Sequence, residues 1–196
     1  MTLLVLGLVL FLGVHSVRVV ADRWRSATIA RLGEGPWKGV YSLVSLAGLA
    51  LVVWGYGLAR QDPVLLWTPP VAMRHLASLL VLLAFVLLAA AYVPRNHIKN
   101  RLRHPMVLGV KLWALAHLLS NGNLADVVLF GSFLVWAVLS FRAARQRDDA
   151  AALAPGPLRH SSLRATAVTG VLGVGAWAGF AVWGHSAWIG VSPWGV

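Results

Sequence analysis

Apolar residues along the chain gather into six long runs, near residues 2–21, 39–59, 75–94, 105–120, 124–141 and 165–190. Short polar segments separate them. An α-helix rises 1.5 Å per residue, so about 20 residues cross the hydrocarbon of a bilayer. Five runs reach or approach that length. The fourth, 105–120, is short. It is expected either to be shielded by its neighbours or to end in an NGN turn that dips below the membrane surface. The pattern predicts an all-α, polytopic membrane bundle of six transmembrane helices, one domain over residues 1–196.

The charged residues orient this bundle. Arg18, Arg23, Arg25, Arg31 and Lys38 fall between runs one and two or just before that segment. Arg95, Lys99, Arg101 and Arg103 lie between runs three and four, and Arg142, Arg145, Arg147, Arg159 and Arg164 between five and six. The opposite side has only Arg60 and Arg74, a ratio of 14 to 2 with Lys111 left inside a run. Positive residues accumulate in cytoplasmic loops, so six spans with both termini periplasmic follow, and an odd number would break the alternation. Trp24 and Trp37 fall at the inner interface and Trp67, Trp188 and Trp194 at the outer one, where amphipathic rings prefer to sit.

Composition narrows the class further. Of 196 residues, 59% are hydrophobic and 12% charged, far from the balance of soluble domains. The net charge of +11 is explained by helix orientation and by contact with anionic lipid headgroups, not by nucleic acid. There is no cysteine, so disulfides, thiolate metal sites and cysteine nucleophiles are excluded. The N-terminal run has no basic residue before it and reads as a first span rather than a leader peptide. Residues 145–163 read as a polar cytoplasmic linker, and "DPVLLWTPP" (62–70) as a stiff outer loop. Gly175 and Gly179 form a GxxxG pair, expected to pack the sixth helix within the monomer. No internal repeat is evident.

Ionisable residues inside a membrane span cost about 2.5–3.5 kcal/mol for lysine at the centre, so they call for a reason. His15, Arg18 and Asp22, at i, i+3 and i+7, are expected on one face of the first helix. Arg18 and Asp22 read as a plain ion pair. His104 starts the fourth run at the inner interface, and Lys111 lies two turns in on nearly the same face. Lys111 either snorkels to the interface or balances an anionic group such as a propionate or phosphate. His117 is about 220° round and about 20 Å deeper. Asn123 and Asp126 resemble a helix N-cap with a carboxylate at N3, with a role orienting a histidine ring as the alternative. His75 and His185 read as interfacial residues, His97 and His160 as solvated. Two deep histidines on different helices, in a chain without cysteine, point either to helix-to-helix hydrogen bonds or to a b-type haem with His15 and His117 as metal ligands. Simple helix geometry puts these two roughly 10 Å apart along the membrane normal, too far to share one iron without tilt.

Four stretches together carry a resemblance: "LFLGVHSVR" (10–18), "RLGEGPWKGVYSLVSLAGL" (31–49), "RHPMVLGVKLWALAHLLSNG" (103–122) and "HSAWIGVSPW" (185–194). In this order they resemble the NnrU family of bacterial membrane proteins. The resemblance implies an inner-membrane protein associated with nitrite and nitric oxide reduction, that is, denitrification. A distant relative, zeta-carotene isomerase, uses a bis-histidine haem b whose ligand motifs match His15 and His117. Its cysteine three residues before the second ligand is replaced here by Ala114, so the resemblance does not extend to a thiolate ligand switch. With haem b as cofactor, Arg18 and Lys111 would face its propionates. "RHPMVLGV" is also similar to the S-adenosylmethionine-binding segment of membrane methyltransferases of the isoprenylcysteine type, with Arg103 and His104 at the matching positions. No clear acidic cluster follows it here, and Pro105 also suits the first position of a helix. A third reading is a non-catalytic assembly factor for a respiratory or nitrogen-oxide reductase complex. No glycine loop suited to phosphate is present.

Overall fold

A computed structural model describes residues 1–151 and 160–194. Among them the chain forms α1 (Thr2–Val20), α2 (Asp22–Leu32), α3 (Glu34–Ala59), α4 (Val71–Tyr92), α5 (His97–Leu102), α6 (Pro105–Ser120), α7 (Leu124–Ala151) and α8 (Leu163–Gly179). The last continues without a break into a π-helical segment, Phe180–Ile189. Five of these helices are long and apolar enough to cross a membrane: α1, α3, α4, α7 and α8 with its continuation. The fourth expected span, α6, has 16 residues and a length of about 24 Å.

The packing is inside-out relative to a soluble bundle. Alanines fill the interior: Ala84, Ala114, Ala116 and Ala137 are at most 1% exposed. Large apolar side chains such as Leu43, Leu46 and Val53 are instead more than 60% exposed. That inversion is favourable only where the surroundings are as apolar as leucine, and small residues then let helix backbones approach closely. α1 against α3 is the tightest case. A Cβ on Gly55 would lie 2.3 Å from the Leu4 nitrogen, and one on Gly48 2.7 Å from that of Phe11. In spatial order the long helices run α3, α1, α7, α6, α4, α8, with each packed on the next.

Four expectations need correction. The first helix ends at Val20, and Ala21 (φ −139°, ψ 41°) starts a separate helix, α2. His15, Arg18 and Asp22 therefore do not share one helix, and among the described residues Arg18 and Asp22 form no ion pair. α7 runs on to Ala151, so 145–151 of the expected linker are helical; its residues 152–159 lie outside the described residues. Gly175 and Gly179 meet nothing within 4 Å, whereas a Cβ on Gly173 would reach Val86 at 2.6 Å. The contact of α8 with α4 falls on the Thr169–Gly173 face, which the GxxxG pair does not share. His97, expected to be solvated, is exposed but takes Thr166 Oγ1 as partner through both its backbone and ring nitrogens, at 3.0 and 2.8 Å.

The outer loop docks on the α6–α7 turn. Leu66 and Trp67 donate to the Gly122 carbonyl, and Leu124 donates to Val64 O. Gly122 is required there, because a Cβ would fall 1.8 Å from Trp67 O. At the same turn Asp126, 3% exposed, accepts from the Asn123 backbone N–H at 3.3 Å and side-chain amide at 3.1 Å. This is the N-cap arrangement expected from the sequence, and Tyr56 OH on α3 completes it at 2.5 Å.

Candidate functional site

α7 builds the site. Trp136, Ser140, Ala144, Arg147 and Asp148 recur at helical spacing and line one face toward its C-terminal end. Opposite stand His15, Arg18 and Val19 from α1 and His104 and Val107 from the start of α6. Together they enclose a cavity of about 440 Å³. A second cavity of about 480 Å³ shares Val19, Trp136 and Ser140 with it and continues along α1 and α7 past Leu12, Gly131, Ser132 and Val135.

His15 is held by its own helix. Its Nδ1–H donates to the Phe11 carbonyl at 2.6 Å, since a carbonyl can only accept. Its ring packs on Phe11, Tyr41 and Trp136 at centroid distances of 4.2, 5.2 and 6.1 Å. His117 repeats the device, with Nδ1–H to Trp113 O at 2.8 Å, and stacks on Phe130 at 4.4 Å. In both rings Nε2 is left without a hydrogen-bond partner among the described residues.

The two histidines do not meet. Phe11 packs on Phe133 at 5.8 Å, Phe133 on Trp113 at 5.4 Å, and Trp113 on His117 at 5.2 Å. These rings occupy the interval between His15 and His117. The structure instead brings His15 together with His104. The His104 Nε2–H donates to Asp148 Oδ2 at 2.9 Å, and Arg103 approaches the same oxygen at 3.5 Å. Arg103 has a positive φ of 63°, uncommon for a residue with a side chain, in the turn that feeds α6. Arg147 donates to the Arg18 carbonyl at 3.4 Å and ties the ends of α7 and α1 together. Lys111 is half-buried on α6, off this cavity, with no hydrogen-bond or ion-pair partner among the described residues. Among the described residues no group of three or more histidine, cysteine or acidic side chains is arranged to hold a metal ion by itself.

Trp136, Ser140, Arg147 and Asp148 were not singled out by sequence reasoning. Three of them follow from extending the helical period of α7 through "SFRAARQRDDAA", whose residues from 145 on read in sequence as part of a polar linker with Pro and Gly.

A family model described as NnrU protein matches residues 3–193 of this chain. No curated protein matches it. No solved structure matches it either.

Proposed function

The chain belongs to the NnrU family, and from that premise we propose that it serves nitrite and nitric oxide reduction in the bacterial inner membrane, binding haem b through its membrane histidines. It crosses the membrane six times, with both termini periplasmic. The docking of the α6–α7 turn on the outer loop supports α6 as a crossing, the fourth in chain order, because α6 then runs from the cytoplasmic end of α4 to the level of residues 64–67.

One observation carries the cofactor reading. His15 and His117 each commit Nδ1 to a carbonyl of their own helix, which fixes the tautomer and leaves Nε2 as the lone-pair nitrogen, the usual arrangement of a histidine that ligates a metal. The residues meet only part of the requirement for a bis-histidine haem. Phe11, Phe133 and Trp113 fill the space between the two rings, so one iron takes both Nε2 atoms only if the α1–α7–α6 packing opens. When bound, haem would supply a redox-active iron. The chain would orient the imidazole, wall off water with aromatic rings, and set Arg18 and Arg147 as cationic partners for propionates, whereas Lys111, expected in that role, lies off this cavity.

The purified protein's absorption spectrum, oxidised and dithionite-reduced, tests this. A Soret band with sharp reduced α and β bands, at about one haem per chain, is expected. Loss of these bands in both H15A and H117A supports shared ligation. Full haem occupancy in H117A removes His117 from the ligand set. A featureless spectrum after expression with haem precursor removes the cofactor and leaves the assembly-factor reading, which predicts a reductase complex on affinity isolation.

A second reading places S-adenosylmethionine at His104. Its favouring observation is Asp148, which sets a carboxylate beside the Arg103–His104–Pro105 turn from a distant part of the chain. Saturable S-adenosylmethionine binding, abolished in H104A, would put this reading first.

A further inference from the structure

Two buried donors on α7 have no partner. Among the described residues, Trp136 Nε1 and Ser140 Oγ are the buried side-chain polar atoms left without a hydrogen bond. An unpaired buried donor costs about 1–3 kcal/mol, and two within one helical turn call for an explanation. Ser140 is 7% exposed. Other helical hydroxyls here satisfy themselves on the carbonyl four residues back: Ser132 donates to Val128 O at 2.6 Å, Ser16 to Leu12 O at 2.6 Å, Thr169 to Ala165 O at 2.8 Å. Ser140 does not. Both orphan donors line both cavities.

The two cavities differ in character. The first holds Arg18, Arg147, His15 and His104, and its carboxylate, Asp148, is already engaged by His104 and Arg103. What it offers a ligand is therefore donors and positive charge. The second is apolar but for Ser16, Ser132 and the shared pair, and it opens sideways past Val135 and Leu139, which are 60% and 49% exposed. It extends along α7 from Ser140 up to Gly131, about 13 Å into the membrane.

We propose that the joined cavities bind one anionic phospholipid from the cytoplasmic leaflet. Its phosphate sits between Arg18 and Arg147 and accepts from Ser140 and Trp136, and one acyl chain lies in the α1–α7 groove. Arginine forks suit phosphate geometry, and charge-assisted bonds of this kind are the strong ones. The combined space, two cavities of 440 and 480 Å³, lies in the range of real ligand sites. The lipid phosphate and the proposed haem propionates would draw on the same Arg18 and Arg147, whereas Ser140 and Trp136 serve the lipid alone, so S140A and W136F test the lipid site independently of haem.

Native mass spectrometry of the intact protein in mild detergent tests the site, titrated with phosphatidylglycerol, phosphatidylcholine and inorganic phosphate in turn. One phosphatidylglycerol per chain is expected, with several-fold higher occupancy than phosphatidylcholine, whose choline meets the two arginines. R18Q/R147Q is expected to weaken phosphatidylglycerol about tenfold or more, and S140A and W136F roughly threefold each. Equal retention of the two lipids, or unchanged binding in S140A and W136F, overturns the proposal even if the arginine variant fails to fold. Complete displacement of the lipid by millimolar inorganic phosphate overturns it as well, because the acyl groove would then contribute nothing. Haem failure is read in the Soret band and lipid failure in the adduct mass, so the two results separate.

Discussion

At the scale of residues, the membrane turns each buried polar group into a commitment. Asp126 illustrates it. Its carboxylate has three donors, two from Asn123 and one from Tyr56 on a different helix. Tyr56→Phe removes the only one that crosses between helices and leaves Asp126 Oδ1 without a donor among the described residues. A loss of about 1–3 kcal/mol is expected, measured by unfolding in detergent with rising denaturant. Unchanged stability would mean the capping pair alone satisfies Asp126. The Asn123–Asp126 cap was legible from spacing alone. The Tyr56 contact was not, because it joins positions 70 apart in sequence.

At the scale of elements, helix contacts here are decided by where a side chain is missing. Gly55 and Gly175 look equivalent in sequence, yet a Cβ at Gly55 meets the Leu4 backbone while one at Gly175 meets nothing. Gly55→Leu is therefore expected to part α1 from α3 and lower the unfolding temperature sharply. Gly175→Ala and Gly179→Ala should stay within about 0.5 kcal/mol of the parent or gain from helix propensity. Differential scanning fluorimetry on the three variants checks this; a large loss at Gly175 or Gly179 would show that α8 has a packing partner outside this chain.

At the scale of the whole molecule, the proposed six-crossing topology rests on the asymmetry of charge and on the grip of the α3–α4 loop on the α6–α7 turn. The absence of native cysteine makes it measurable. A single cysteine at Gln61→Cys should react with an impermeant maleimide in intact cells, and one at Asp149→Cys only after the membrane is opened. Labelling of both from the same side would mean that an even number of α4, α6 and α7 cross, and α6, shorter than the five long spans, would be the one that does not.

The amino-acid sequence by itself determined the apolar surroundings and the long helices. Those depend on local quantities: the length of an apolar run, a proline or an Asn–Asp spacing at a helix start. It also marked His15, Arg18 and His104, because an ionisable group in or beside an apolar run is conspicuous wherever it ends up. Tertiary structure alone decided which of them meet. The packing of α1, α6 and α7 set His15 beside His104 and Asp148, put a wall of aromatic rings between His15 and His117, and left Ser140 and Trp136 facing a cavity. Such pairings depend on how three helices rotate against one another. That rotation is settled by close backbone approach at small residues and by the shapes of large rings, which no stretch of one helix contains.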